Sequence, residues 1–249
     1  MVLSESRVST GIPKLDLMLG GGLIQGGTHL ISGETGTGKT VLSLQFLLQG
    51  LMQDETCVYV SLDEKIERIL DGARSLGWDL WSYYRTGTLF PVEARIDSAE
   101  LKKRGKESSS FLRLIPEPAK TRGIARTVLD PISALAPGIG DEFFVREYLR
   151  EIIMHFEGLG STLVLTCDIP SGSSGLSRYG FEEFLASGIV VMGLIERQGR
   201  LMRTIHIRKM RWSPMDPRVY VFDIRSQEGI VVTKPLEELL QQSSQKGIF

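Results

Sequence analysis

Residues Gly33-Glu34-Thr35-Gly36-Thr37-Gly38-Lys39-Thr40 fit G-x-x-x-x-G-K-[ST], and the apolar run Thr28 to Ser32 stands directly before them. A strand that ends in this string and continues as a helix restricts the chain to α/β folds that bind phosphate. The glycines let backbone N–H groups turn inward around phosphate oxygens. Lys39 reaches the β and γ phosphates of a nucleoside triphosphate, and the Thr40 hydroxyl serves Mg²⁺. Val41, Leu42, Leu44, Phe46, Leu47 and Leu48 continue at helical spacing, so the positive end of a helix dipole faces the phosphates. The expected nucleotide contacts are Gly33, Glu34, Thr35, Gly36, Thr37, Gly38, Lys39, Thr40 and Val41.

At 249 residues the chain has room for one large α/β domain. Its 42% hydrophobic and 24% charged content is that of an ordinary globular protein, and its formal charge of −1 leaves no overall basic footprint for nucleic acid. Cys57 and Cys167 each lie in an apolar stretch and read as buried thiols of a reducing compartment, the other reading being a disulfide. His29, His155 and His206 show no metal-ligand spacing. No run reaches the length of a membrane span and the N-terminus lacks an apolar signal region, so the expected location is the cytoplasm.

Apolar runs at 28–32, 57–62, 88–92, 125–130 and 161–167 alternate with helical patterns at 40–52, 64–76 and 142–157. That alternation predicts a mainly parallel twisted sheet flanked by helices. From about 188 short strand-like runs follow (188–194, 202–210, 218–224 and 229–233), which predict C-terminal antiparallel strands finishing the sheet. The expected division is an ATPase-type domain over 1–235 and a polar tail over 236–249, either a short amphipathic helix or disordered. Residues 168–180 read as a loop beside the ligand-binding edge. The stretch 98–123 begins basic and carries Pro116 and Pro118 where a crossover helix would be expected. Gly20-Gly21-Gly22 reads as a turn before it reads as a mobile element.

Strand 125–130 ends in Asp130, a candidate Mg²⁺ partner for Thr40; the other reading is a strand-end cap for the turn at Pro131. Strand 57–62 ends in Asp63-Glu64. Glu64 is the stronger candidate to deprotonate or orient water, while Asp63 also suits the N-cap of the next helix. Thr166 reads as a polar sensor of the γ phosphate or as a buried threonine bonded to backbone. The transition state spreads negative charge over the γ oxygens, so more cations than Lys39 are wanted. In Ile207-Arg208-Lys209-Met210-Arg211, strand alternation puts Lys209 and Arg211 on one side, as a cationic finger or as the charges of a solvated edge strand.

These residues resemble the KaiC-like branch of RecA-type ATPases across most of the chain. Ser9-Thr10-Gly11-Ile12-Pro13-Lys14-Leu15-Asp16 with Leu19-Gly20-Gly21-Gly22 resembles the opening that precedes the P-loop in that superfamily. Ser61-Leu62-Asp63-Glu64 is similar to its S-x-E-E acids. Tyr179-Gly180-x-Glu182-Glu183-Phe184 and Lys209-Met210-Arg211 resemble Y-G-x-E-E-F and K-x-R, the strings that mark the branch. The resemblance implies a RecA-type P-loop core, ATP and Mg²⁺, and a homo-oligomeric ring, usually a hexamer, with nucleotide between subunits. It further implies that Glu64 with Asp63 activates water, Asp130 holds Mg²⁺, and Lys209 and Arg211 reach the γ phosphate of the next subunit.

The departures from the pattern are specific. Asp63 replaces a Glu, Trp212 follows K-x-R where Gly is usual, and Met215 falls where His is common. Glu183-Phe184 stands where the autophosphorylated half of circadian KaiC has Ser and Thr, which speaks against self-kinase activity. The expected function is a ring-forming regulatory ATPase acting on a protein partner that the sequence does not identify. The alternatives are a DNA-dependent ATPase using 168–180 and the basic 102–106 segment, or an ATP-dependent switch with little turnover. The near-neutral charge and a loop that offers one Arg and one aromatic, where single-strand binders want several, weigh against nucleic acid.

Overall fold

The computed structural model describes residues 6–94, 113, 115–135, 142–170, 175, 177–197 and 199–245. The N-terminal segment forms a two-stranded antiparallel ribbon, β1 (Arg7–Val8) with β2 (Leu23–Ile24), around helix α1 (Pro13–Met18). The string from Ser9 to Asp16 locks itself: the Asp16 carboxylate accepts from Ser9 Oγ at 2.6 Å, Thr10 Oγ1 at 2.6 Å and Thr10 N at 2.8 Å. Pro13 supplies the preset φ of the first helical turn. Gly20, Gly21 and Gly22 all have left-handed φ, and a Cβ at Gly22 would run into the Val8 main chain. They form the turn expected of them.

The main sheet is built from β3 (Thr28–Gly33), β4 (Cys57–Ser61), β5 (Leu89–Glu93), β6 (Arg126–Asp130), β7 (Thr162–Asp168), β8 (Gly188–Arg197), β9 (Arg200–Met210), β10 (Tyr220–Arg225) and β11 (Gly229–Pro235). Across the sheet they lie in the order β11-β10-β9-β8-β3-β7-β6-β4-β5. From β5 to β8 all neighbours are parallel; β8, β9, β10 and β11 then form an antiparallel meander. Successive residues serve opposite faces. Ile31, Tyr59, Val128 and Val164 pack with helix α2 (Lys39–Leu51), whereas Leu30, Val58, Leu129 and Leu163 join a second cluster on the other face. Both faces are covered, so the strands read as continuous apolar runs.

The remaining helices are α3 (Ile66–Ser75), α4 (Leu80–Thr86), α5 (Glu117–Arg122), α6 (Glu142–Gly158), α7 (Glu182–Leu185) and α8 (Leu236–Gln245). Helix α6 covers the second face with Val145, Leu149, Ile152 and Phe156. Two expectations need correction, and one helix lies where none was expected. Asp63 does not cap α3: that helix starts at Ile66, and the Ser61 hydroxyl instead bridges to Glu64, accepting from its backbone N–H at 3.1 Å. Helix α4 occupies a stretch to which the sequence pattern assigned no element, and Asp79 caps it by accepting from Ser82 N at 3.3 Å. Pro118 opens α5 rather than breaking a helix, because a proline in the first turn has no N–H to lose. Residues 95–112, 114 and the basic segment 102–106 lie outside the described residues, as do 171–174 and 176 of the expected loop.

Arg126, 1% exposed, ties three distant segments together. Its guanidinium pairs with Glu55, donates to Ser9 O at 2.7 Å and Phe46 O at 2.9 Å, and stacks over the Phe46 ring. This fastens the N-terminal segment and α2 to the base of β6.

Candidate functional site

At the C-terminal edge of the parallel strands lies a cavity of about 530 Å³. Gly33 ends β3 between Asp168 of β7 and Met192 of β8, where a side chain would collide with the Met192 carbonyl. The loop then turns through Gly36 (φ 84°) and Gly38 (φ 103°), both left-handed, into α2. Thr37 is buried and donates its hydroxyl to Glu34 O at 2.8 Å, closing the loop from behind.

Thr35, Gly36, Gly38, Lys39, Thr40, Val41, Asp63, Glu64 and Asp130 all line the cavity, as the sequence leads one to expect. Gly33, Glu34 and Thr37 stand behind that lining and shape it. Lys39 Nζ donates to Gly33 O and Glu34 O, each at 2.9 Å, and pairs with Asp168 Oδ1 at 2.7 Å. Asp63 and Glu64 are exposed at the mouth, at the end of β4.

Asp130 is 6% exposed and accepts from Tyr59 Oη at 2.7 Å and from the Thr166 hydroxyl. Burial, with the Asp130 charge beside it, raises the Tyr59 pKa well above its usual value, so the phenol stays protonated and donates. The Thr166 hydroxyl thus bonds a side chain rather than backbone, and orients the Asp130 carboxylate. Among the described residues these donors take two of about four acceptor positions on that carboxylate, and Asp130 and Thr40 line the same cavity. A hydroxyl and a carboxylate are hard oxygen donors of the kind Mg²⁺ takes alongside water, so these residues fit the ion.

Tyr59, Asp168, Arg203 and Ile224 also line the cavity, and sequence reasoning missed them. Arg203 on β9 donates to Gly36 O at 3.3 Å, and Ile224 on β10 approaches Gly38 so closely that a Cβ there would sit 2.8 Å from its Cδ1. The antiparallel meander thus closes one wall of the site. Asp168 carried a readable signal: it ends an apolar strand, as Asp130 does.

Lys209 and Arg211 are not brought to the cavity of their own chain. Lys209 pairs with Ile189, which is level with Leu30, and Arg211 N bonds Ser187 O, level with Thr28. Arg211 thus stands five residues, about 17 Å, below Gly33 at the opposite end of the strands. The two cations do share a side, as alternation requires. Lys209 Nζ donates to Glu183 O at 2.9 Å and Ala186 O at 2.7 Å, and Arg211 donates to Phe184 O at 3.2 Å. Burial and the neighbouring Arg211 lower the Lys209 pKa. Around this pair, Phe184 is 69% and Trp212 85% exposed.

Cys57 and Cys167 are buried free thiols, each pushed up to about 12, chiefly by burial. Among the described residues no helix is long and apolar enough to cross a membrane.

Comparison with known proteins agrees with this geometry. A crystal structure of a KaiC-like protein from the hyperthermophilic archaeon Pyrococcus horikoshii superposes with a TM-score of 0.80 at 34% identity, covering 93% of this chain and 100% of that one. A UPF0273 protein of Aeropyrum pernix is 31% identical over 234 residues, 91% of this chain and 93% of the relative. The circadian clock protein KaiC3 of Synechocystis is 29% identical over 242 residues, 96% of this chain but 48% of its own length. The chain therefore spans about half the length of the circadian relatives it matches. The family model described as "ATPase: KaiC" matches residues 8–237. The fold is that of a KaiC-like RecA-type protein, and the chain belongs to the KaiC family of P-loop ATPases.

Proposed function

We propose that the chain binds ATP with Mg²⁺ and hydrolyses it slowly as a homo-oligomeric ring, a hexamer, in which Lys209 and Arg211 serve the nucleotide of the neighbouring subunit. The observation that carries the reading is the separation of those two cations from their own P-loop. A basic pair held at the far end of the strands can assist catalysis only on a second copy, and the exposed Asp63 and Glu64 at the cavity mouth offer it a complementary charge.

Within one cavity, the N–H groups at the start of α2 and Lys39 hold the β and γ phosphates, with Arg203 and Ile224 beside the rest of the nucleotide. Thr40 and Asp130 hold Mg²⁺, which when bound neutralises phosphate charge. Glu64, with Asp63 beside it, takes the proton of the attacking water. The ring would couple occupancy and hydrolysis to a regulatory protein partner, and the two buried thiols suit the reducing cytoplasm.

The test is size-exclusion chromatography with light scattering, with and without ATP and Mg²⁺, on the wild type and on the Lys209→Ala, Arg211→Ala double variant. An ATP-dependent ring whose ATPase falls in the double variant is expected. A monomer under every condition, or a double variant with unchanged turnover, overturns the trans assignment.

A further inference from the structure

We propose that Asp168, Ser133 and Tyr179 form a relay through which phosphate at the P-loop repositions the helix that holds Lys209 and Arg211 in the same chain. An ammonium group has three N–H bonds. All three of Lys39 are directed at protein acceptors, namely Gly33 O, Glu34 O and Asp168 Oδ1. A phosphate oxygen that takes Lys39 must displace one of them. The two carbonyls belong to the P-loop main chain: Gly33 O also accepts from Ile169 N in the sheet, and Glu34 O from the Thr37 hydroxyl inside the loop. Asp168 is a side chain one-third exposed at a strand end, and its negative charge faces the incoming phosphate. Asp168 is the acceptor that leaves.

Its other oxygen is engaged elsewhere. Asp168 Oδ2 accepts from Ser133 Oγ at 3.0 Å, and Ser133 O accepts from Tyr179 Oη at 3.2 Å. Tyr179 stacks on Phe181, with ring centroids 5.6 Å apart, and its backbone N–H donates to Glu182 Oε1 at 3.2 Å. Glu182 opens α7, and the carbonyls of Glu183, Phe184 and Ala186 are the ones that hold Lys209 and Arg211. Glu182 is 1% exposed, and its Oε2 has no hydrogen-bond partner among the described residues. It offers a second acceptor to which the Tyr179 N–H can shift, so α7 has two hydrogen-bonded arrangements available. Asp168, Ser133 and Tyr179 are positioning residues. The relay runs within one chain; only its consequence, that a filled site adjusts the cations offered to the next, rests on the trans role proposed above.

The experiment is hydrogen exchange of peptides covering 179–187, with and without ATP in EDTA so that no turnover occurs. It is run at a concentration where light scattering gives the same mass in both conditions. In the wild type, ATP is expected to change exchange at 182–186 severalfold. Asp168→Ala is expected to bind ATP about fivefold tighter, having lost a competitor for Lys39, and to show no response at 182–186. Tyr179→Phe keeps the ring stack, so it is expected to bind as the wild type does and likewise to lose the response. A response that survives in either variant, or none in ATP-bound wild type, overturns the relay. Failure of the trans role would show separately, as unchanged ATPase in the Lys209→Ala, Arg211→Ala variant.

Discussion

His29 lies inside the strand that carries the P-loop, fully buried, with Nε2 3.0 Å from Ile24 O and Nδ1 without a hydrogen-bond partner among the described residues. Burial lowers its pKa from 6.5 to about 4; the Ile24 bond opposes the shift and the Arg7 charge adds to it. The unfolded chain therefore takes up a proton near pH 6.5 that the folded chain refuses until about pH 4. Stability must fall as the pH falls through that window. Two and a half pK units at about 1.4 kcal/mol each give a total loss of about 3–4 kcal/mol, of which about 2 kcal/mol has gone by pH 5. The assay is urea unfolding at 25 °C from pH 8 to pH 5 on the wild type and on His29→Gln. The variant's amide can still donate to Ile24 O but does not titrate. Carboxylates titrate alike in both proteins, so the difference isolates His29. The wild type should lose about 2 kcal/mol more than the variant between pH 8 and pH 5. Two curves parallel to within about 0.5 kcal/mol would refute the reasoning.

Lys39→Ala should abolish ATP binding in a calorimeter, whereas Glu64→Gln should bind ATP with near wild-type affinity and lose about 10²-fold or more in ATPase rate; equal losses of binding would remove Glu64 from the water-activating role. Gly50→Ala would ordinarily strengthen a helix by up to about 1 kcal/mol, but the new Cβ would sit 2.6 Å from both Arg126 Cδ and Glu55 Oε2. Thermal melts should show a net loss of about 1–3 kcal/mol, and a raised Tm would contradict the crowding. Tyr59→Phe takes one donor from the buried Asp130 carboxylate and should lower unfolding free energy by about 1.5–3 kcal/mol in urea, with no change as the contrary result.

The parallel half of the sheet was legible because both faces are buried, which gives strands such as Cys57–Ser61 and Thr162–Asp168 consecutive apolar residues rather than strict alternation. The P-loop was legible because its glycines answer a backbone requirement. Strand order was not, since no local pattern says that β3 lies between β7 and β8. Helix α4 escaped notice because seven residues give too little periodicity, and its aromatic Trp81, Tyr83 and Tyr84 look equally at home in a strand. Around the cavity, residues that end a strand next to the P-loop could be named in advance. Tyr59 and Arg203 could not, because their roles depend on which neighbour lies across the sheet. Lys209 and Arg211 were legible as a pair on one side of a strand, yet their distance from the P-loop required the register of three adjacent strands.

The place of β3 in the sheet also orders the making of the protein. Its two neighbours, β7 and β8, begin at Thr162 and Gly188, more than 130 residues after β3 itself. During synthesis the P-loop strand leaves the ribosome with both edges unpaired and stays so until most of the chain has followed. Contacts of such long sequence separation slow folding. Nucleotide therefore has no finished site to occupy on a nascent chain, and it can act only on a molecule whose sheet has already closed around β3.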